Sequence, residues 1–319
     1  MTLATRASTV DVSVLVPAKD EAENLSEFVR LCAEALAPVP WSAELVVVDD
    51  GSDDGSAALL RRLTADYPFL RVVTHRSRRG IADALRSAGE VARGKIFVFY
   101  PADLQFLPAE IPTLVEPIQR GEADVVTGTK QGVYEKAFVS GIYNGLCRWL
   151  FGIRVTDLNA VKAYRREVMD VVPARPDWHR FMVVIAGAEG YRLTERPVTL
   201  YPRRAGQSKF GIGRIPVGLL DLLSVWFQLR FGRKPLLFFG LSGGILFALG
   251  FLVGVAALIL RFGYGVGLRP LLSLVTLLVV TGIALFGFGF IGELLAGARE
   301  ELRALQRTIE QRDKPGNDS

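Results

Sequence analysis

Along the first two-thirds of the chain, short apolar runs alternate with amphipathic stretches. The runs at 12–16, 45–48, 70–73, 96–100 and 124–127 are apolar nearly throughout and rich in β-branched residues, as strands covered on both faces should be. Between the first two, Leu25, Phe28, Val29, Cys32, Ala35 and Leu36 recur at helical spacing. The segments 57–63, 82–92 and 110–118 carry further helical patterns. Strand, helix and strand repeated in this way predict a mostly parallel sheet with right-handed crossovers and flanking helices. Ligands of such sheets bind beyond the carboxyl ends of the strands.

Past Lys234 the pattern changes. Stretches 236–260 and 270–292 are apolar and contain no charged residue, and each reaches the roughly 20 residues that a helix needs to cross a bilayer. The connection 261–269 is short, so the two predicted spans form a hairpin that returns the chain to its starting side. Just ahead of them, 214–231 presents a broad apolar face (Leu219, Leu220, Leu222, Leu223, Val225, Trp226, Phe227, Leu229) and a narrow polar stripe of Asp221, Ser224 and Gln228. This predicts an interfacial helix lying on the membrane. The expected organisation is a flexible N-terminus (1–10), an α/β domain (11–212), the interfacial helix (213–234), two transmembrane helices (235–292) and a charged tail (293–319). The tail is expected to start as a short helix and to end disordered at 314–319.

The segment 1–10 lacks the apolar core of a signal peptide. Arg230, Arg233, Lys234, Arg299 and Arg303 flank the hairpin, against Arg261 and Arg269 in its turn. The positive-inside rule then predicts a multi-pass cell-membrane protein with its catalytic domain and both termini in the cytoplasm. Gly240 and Gly244, like Gly250 and Gly254, have small-xxx-small spacing, which serves either the hairpin's own packing or a homo-oligomer.

A net charge of +5 suits an anionic membrane surface and phosphate-bearing substrates. No basic stripe interleaved with aromatics points to nucleic acid. Cys32 and Cys147 are the two cysteines, too few for a metal cluster or disulfide framework, and are expected as small buried apolar side chains.

The candidate chemistry sits where the predicted strands end. After the first strand, Val16-Pro17-Ala18-Lys19-Asp20-Glu21 lacks the G-x-G-x-x-G of a dinucleotide site, which disfavours hydride transfer. After the second, Val48-Asp49-Asp50-Gly51-Ser52-Asp53-Asp54-Gly55 offers carboxylates for a ribose or base and glycines for a tight turn. After the fourth, Tyr100-Pro101-Ala102-Asp103-Leu104-Gln105 places Asp103 and Gln105 two apart. On an extended segment both would reach one oxygen-liking cation such as Mg²⁺ or Mn²⁺.

The order of these pieces resembles the family 2 glycosyltransferases, and within them the dolichol-phosphate-mannose-synthase-like branch that includes bacterial polyprenyl-phosphate glycosyltransferases. Its P-x-[YF]-N-E-x-x-N-L opening is matched by Pro17 to Leu25, and its V-D-D-G-S-x-D-G by Val48 to Gly55. Its R-x-x-G-x-x-x-A pattern is similar to the stretch from Arg76 that holds Gly80, Ala84 and Gly89. Its D-A-D-L-Q is matched from Ala102 to Gln105, and its R-x-x-G-x-S-K by Arg203, Gly206, Ser208 and Lys209. The resemblance spans about 12–234, and the interfacial helix and hairpin that follow look like those of this branch.

The resemblance implies a GT-A fold, a Mg²⁺- or Mn²⁺-dependent donor site for a UDP- or GDP-linked sugar, a polyprenyl phosphate acceptor and inversion at the anomeric carbon. By position, Pro17, Glu21, Asp50 and Asp53 would line the nucleoside, and Asp103 with Gln105 would hold the metal. Arg203, Ser208 and Lys209 would close over phosphates. Lys130, Lys136 and Ser140 would meet the acceptor phosphate, with lysine where the branch usually has arginine. Asp157 matches an acidic loop near the acceptor and is expected as an orienter, so Asp103, Asp157 and Arg203 form the expected catalytic set. His179 is expected to be structural, and Arg180 to lie within reach of a phosphate.

The match fails at Pro101, which stands where the first aspartate of D-A-D is usual and cannot ligate a metal. Two readings follow: a working site built on Asp103, Gln105 and the donor diphosphate, or a donor-binding scaffold without activity. Retention of the other phosphate-handling residues favours the first. The residues after Asp157 also depart from the usual S-G-F or C-G-F. A processive polysaccharide synthase is disfavoured, because Q-x-x-R-W is absent and one hairpin forms no pore.

Overall fold

The computed structural model describes residues 10–131, 137–153, 155–158, 160–173, 175–202, 215–265, 267 and 269–312, with backbone alone at 137–140, 142, 215, 303 and 306–312. The chain divides into two compact units, Met1–Leu222 and Leu223–Ser319.

The first unit runs β1 (Val12–Ala18), α1 (Ala22–Leu36), β2 (Ala43–Asp49), α2 (Ser56–Asp66), β3 (Leu70–Thr74), α3 (Ile81–Val91), β4 (Ile96–Phe99), α4 (Ile111–Gln119), β5 (Val125–Gln131), α5 (Ala137–Phe151), β6 (Lys162–Arg165), α6 (Val168–Val171), α7 (Met182–Ala188) and β7 (Leu193–Thr199). Its seven strands lie in the order β3-β2-β1-β4-β6-β5-β7. Pairing is parallel except that β6 runs antiparallel to both β4 and β5. The five strands predicted from apolar runs are all present, and β6 and β7 are additions.

Central strands β1 and β2 are buried on both faces, which explains why they read as continuous apolar runs. Helix α1 covers one face with Leu25, Phe28, Val29, Cys32 and Leu36. Cys32 and Cys147 are both buried and unbridged, as expected. Strand β1 lies between β2 and β4, and the chain leaves their carboxyl ends toward opposite sides. This opens the crevice that a doubly wound sheet uses for ligands.

Helix α8 (Ile215–Phe231) precedes α9 (Pro235–Tyr264) and α10 (Arg269–Arg312). Val217, Leu219, Leu220 and Leu223 stand exposed on α8. The hairpin helices run longer than their apolar cores, and α10 continues without a break into the charged tail. Both helices are long and apolar enough to span a membrane, and only 11% of the most apolar window of each is buried. A soluble core helix would bury most of it, so the pair reads as a membrane hairpin.

Glycines let the two helices touch. A methyl added at Gly243 would lie 2.5 Å from Gly282 O, and one at Gly250 would lie 2.9 Å from Val279 Cγ2. Gly244 meets nothing within 4 Å. Of the two alternatives for these glycines, Gly250 therefore serves the hairpin itself. At the open end, Leu236 N donates to Glu293 Oε2 at 3.2 Å, a carboxylate placed at the positive end of α9.

Candidate active site

The carboxyl ends of β1, β2 and β4 bring three loops to one cleft of about 440 Å³. Its wall includes Pro17, Lys19, Glu21, Asp50, Pro101 and Asp103, together with Arg78, Arg79, Gly80, Phe99, Pro176 and Asp177.

The first two loops are laced together. Lys19 Nζ donates to Gly51 O at 2.5 Å and pairs with Asp53 Oδ2 at 3.0 Å. Asp20, at φ 53°, donates its N–H to Ser52 Oγ, and its carboxylate accepts from Asp53 N. Asp54 accepts from Ala22 N and from Ser56. Gly51 has φ +68°, and a Cβ there would lie 2.7 Å from the carbonyl carbon of Ser77, so both backbone sign and space demand glycine. Glu21 faces the cleft while accepting from Asn24 Nδ2 at 2.7 Å. Asp53 does not line the cleft: its side chain is 94% exposed.

Asp50 is buried and heavily used. Its Oδ1 accepts from Arg79 N at 2.8 Å and its Oδ2 from Gly80 N at 2.7 Å. His75 Nδ1 lies 2.8 Å from Oδ1. Asp50 thus fastens the 78–80 loop against the cleft, with Arg78 and Arg79 in the wall and the amino end of α3 opening into it. A helix amino end and two guanidiniums form a setting for anions. These arginines were missed in the sequence, although a basic run ending in a glycine before a helix was the available signal.

Asp103 lines the cleft and Gln105 does not. The expected extended segment is not formed: Leu104 has φ 55°, and Gln105 N donates back to Asp103 Oδ1 at 3.2 Å. That turn cancels the alternation that would aim both side chains at one point. Among the described residues no group of three or more His, Cys, Asp or Glu forms a metal cluster. One carboxylate fits Mg²⁺ held largely by substrate phosphates and water. Pro101 sits in the wall beside it and supplies no ligand.

A second cluster lies behind Phe99. Lys130 on β5 pairs with Asp157 Oδ2 at 3.3 Å. The Asp157 loop is held from two sides: Thr127 Oγ1 donates to Asp157 O at 3.0 Å, while Glu195 on β7 accepts from Thr156 N at 2.6 Å and from Asp157 N at 3.2 Å. Lys162, fully buried on β6, donates to Leu158 O at 3.0 Å. Burial pulls its pKa down to about 8, against the opposing pull of Asp157 and with help from Lys130 and Arg180. Burial, with Lys162 and Arg180 nearby, pushes His179 down to about 3, so it is neutral. This matches its expected structural place, packed edge-on to Phe99. Arg180 pairs with Asp177 at 3.5 Å, and Asp177 holds the left-handed φ of 62° rare for a non-glycine residue.

The predicted residues Lys136, Arg203, Ser208 and Lys209 lie outside the described residues, as does the side chain of Ser140.

Residues 13–156 match the Glycosyl transferase family 2 domain. A dodecaprenyl-phosphate galacturonate synthase of Rhizobium johnstonii is 31% identical over 300 residues, covering 90% of this chain and 88% of that protein. The chain belongs to glycosyl transferase family 2. This glycosyltransferase is also 31% identical over 307 residues to an undecaprenyl-phosphate 4-deoxy-4-formamido-L-arabinose transferase of Pseudomonas fluorescens, covering 93% of this chain and 87% of the relative. Since its first unit ends at Leu222, alignments of that extent run into the apolar hairpin. Among solved structures, glucosyl-3-phosphoglycerate synthase of Mycobacterium tuberculosis with Mn²⁺, uridine diphosphate and glucosyl-3-phosphoglycerate has a TM-score of 0.53 at 20% identity, over 69% of this chain and 80% of that one. That likeness establishes the GT-A fold of the glycosyltransferase.

Proposed function

We propose that this protein transfers a sugar from a nucleoside-diphosphate sugar to a polyprenyl phosphate at the cytoplasmic face of a membrane. The carrying observation is that the two relatives described above, both named for sugar transfer to a polyprenyl phosphate, align with it over the catalytic unit and into the hairpin. No observation favours the scaffold or polysaccharide-synthase alternatives.

An acceptor phosphate oxygen attacks the anomeric carbon as the bond from that carbon to the donor diphosphate breaks, and the nucleoside diphosphate leaves with inversion. The acceptor phosphate is ionised at neutral pH, its second pKa being about 6, so no proton must be abstracted. The chain's task is to align two anions that repel one another and to neutralise their charge. Pro17, Glu21 and Asp50 shape the nucleoside end of the cleft. Arg78, Arg79 and the amino end of α3 face the diphosphate, and Arg203, Ser208 and Lys209 close over it. Asp103 would hold a Mg²⁺ or Mn²⁺ ion, which would supply charge neutralisation at the leaving group. Lys130, Lys136 and Ser140 meet the acceptor phosphate, with Asp157 orienting Lys130. Basic residues at the outer ends of the hairpin favour both termini in the cytoplasm.

The test offers purified protein in detergent a panel of radiolabelled UDP- and GDP-sugars with undecaprenyl phosphate, with Mg²⁺ or Mn²⁺ and then with chelator. A lipid-linked sugar that disappears on chelation is expected and names the donor. Nucleotide-sugar binding without product from any donor sinks the reading in favour of a scaffold.

A further inference from the structure

Lys162 departs from ordinary packing in the catalytic unit. It is 1% exposed, whereas lysine is almost never fully buried unless paired. It stands opposite Phe99 of β4 and opposite Thr127 of β5 in the antiparallel ladder. Its Nζ lies 5.8 Å from the centre of the Phe99 ring, whose residue forms part of the cleft wall. It therefore sits at the seam between the cleft and the Lys130–Asp157 pair.

We propose that Lys162 is a positioning residue for the acceptor side of the reaction: its ammonium ties down the 157–158 segment through Leu158 O and lies in the field of Asp157, the carboxylate that pairs with Lys130, so that the charge Lys130 presents to an anionic acceptor depends on Lys162 keeping its proton. This rests on the transfer reaction proposed above.

The surroundings of Lys162 support this. Asp157 and Leu158 O face it from the loop before β6, Lys130 from β5, and Arg180 with the neutral His179 from the turn at Trp178–Phe181. Lys130 pairs with Asp157 and Arg180 with Asp177, so Lys162 is the cation in excess among the described residues of the cluster. Among the described residues, His179 Nδ1 is buried in the same cluster without a hydrogen-bond partner. If the space needed only filling, an apolar residue of similar size would avoid the desolvation cost of a buried cation. A surplus of positive charge is useful where an anion must come close, and the acceptor is a phosphate. When Lys162 is charged, Asp157 divides its attraction between two ammoniums, and Lys130 retains net charge for the phosphate. When Lys162 is neutral, Asp157 neutralises Lys130 alone. A pKa drawn down to about 8 places that change just above neutrality.

The test measures kcat/KM for undecaprenyl phosphate at saturating donor, from about pH 6.5 to about pH 9.5, in the full-length protein and three variants, with nucleotide Kd measured alongside. In the wild type, acceptor kcat/KM should fall by about tenfold per pH unit above the Lys162 pKa, while nucleotide Kd does not follow. Lys162→Arg, charged throughout this range, should flatten that limb. Lys162→Met should bind nucleotide normally but lose at least about tenfold in acceptor kcat/KM at neutral pH. Asp157→Asn, which removes the carboxylate through which Lys162 acts on Lys130, should flatten the limb even if neither Lys162 variant folds. A wild-type profile without the limb, a limb that persists in Asp157→Asn or Lys162→Arg, or wild-type acceptor use by Lys162→Met overturns the role of Lys162. Absence of lipid-linked product from the wild type at every pH instead defeats the transfer reaction itself.

Discussion

His75 Nδ1 lies 2.8 Å from Asp50 Oδ1, and His75 Nε2 lies 3.0 Å from Ser87 Oγ. The carboxylate makes Nδ1 the donor, and Nε2 meets the Ser87 hydroxyl. This Asp–His–Ser chain has the order of a nucleophilic triad but not its setting. Asp50 and His75 are buried, and the Asp50 carboxylate is occupied by the N–H groups of Arg79 and Gly80. The chain works as a strut behind the arginine loop.

Asp50→Ala should therefore be costly twice over. It strips two backbone N–H groups and a histidine of their acceptor, at about 1–3 kcal/mol for each group left buried and unsatisfied. It also releases the loop that presents Arg78 and Arg79. A clear drop in melting temperature with weakened nucleotide binding is expected, and His75→Ala should show a smaller version of both. Wild-type nucleotide affinity in Asp50→Ala would show that the 78–80 loop does not serve the donor.

Asp103→Ala should leave the protein folded and membrane-bound, because the side chain lies in the cleft wall and its bond from Gln105 N is a local one. Transfer should fall by more than about 100-fold. Gln105→Ala should cost far less, since Gln105 is outside the cleft wall. Equal losses in both variants would restore Gln105 as a ligand, and normal turnover by Asp103→Ala would remove the metal assignment.

The hairpin permits a test that does not involve the cleft. Gly243→Leu would drive its side chain into the backbone of α10 at Gly282, and overpacking of this kind costs about 1–3 kcal/mol. Gly244→Leu, at a position with nothing within 4 Å, should be tolerated. Thermal stability in detergent should separate the two, and equal tolerance would contradict the packing of α9 on α10.

Acid stability is set partly at the amino end of β5. Asp124 accepts from Arg192 and Arg165, and these bonds, the one with Arg192 foremost, hold its carboxyl well below the ordinary value of 3.8. The unfolded state binds the proton first, so the stabilisation is complete above that ordinary value and fades as the pH falls beneath it. The two arginines are partly exposed, which screens the effect and keeps it modest. Asp124→Asn should lower the melting temperature at neutral pH and narrow the gap to the wild type as the pH drops below about 4. A gap independent of pH would show that the ion pair is not its cause.

By itself the sequence determined the elements whose burial is written in their own neighbours. Strands β1 to β5, helix α1 and the two spans read correctly because each buries a face or a whole circumference, and that periodicity is local. Motif order likewise placed Pro17, Glu21, Asp50 and Asp103, which the fold gathers at one cleft. Only the tertiary structure decided the rest. Strand β6 is four residues long with a lysine and an arginine at its ends, and β7 is an edge strand that accommodates Pro197. Both owe their existence to partners far away in the chain. One left-handed residue, Leu104, turned Gln105 off the cleft, and φ at a single position leaves no trace in a pattern of polarity. Asp53 was carried outward by its pairing with Lys19, and Arg78 and Arg79 were carried inward by Asp50. Lys162 looks like an ordinary surface lysine in the sequence. It is buried because β6 lies between β4 and β5, and burial is a property of the neighbours that long-range pairing supplies.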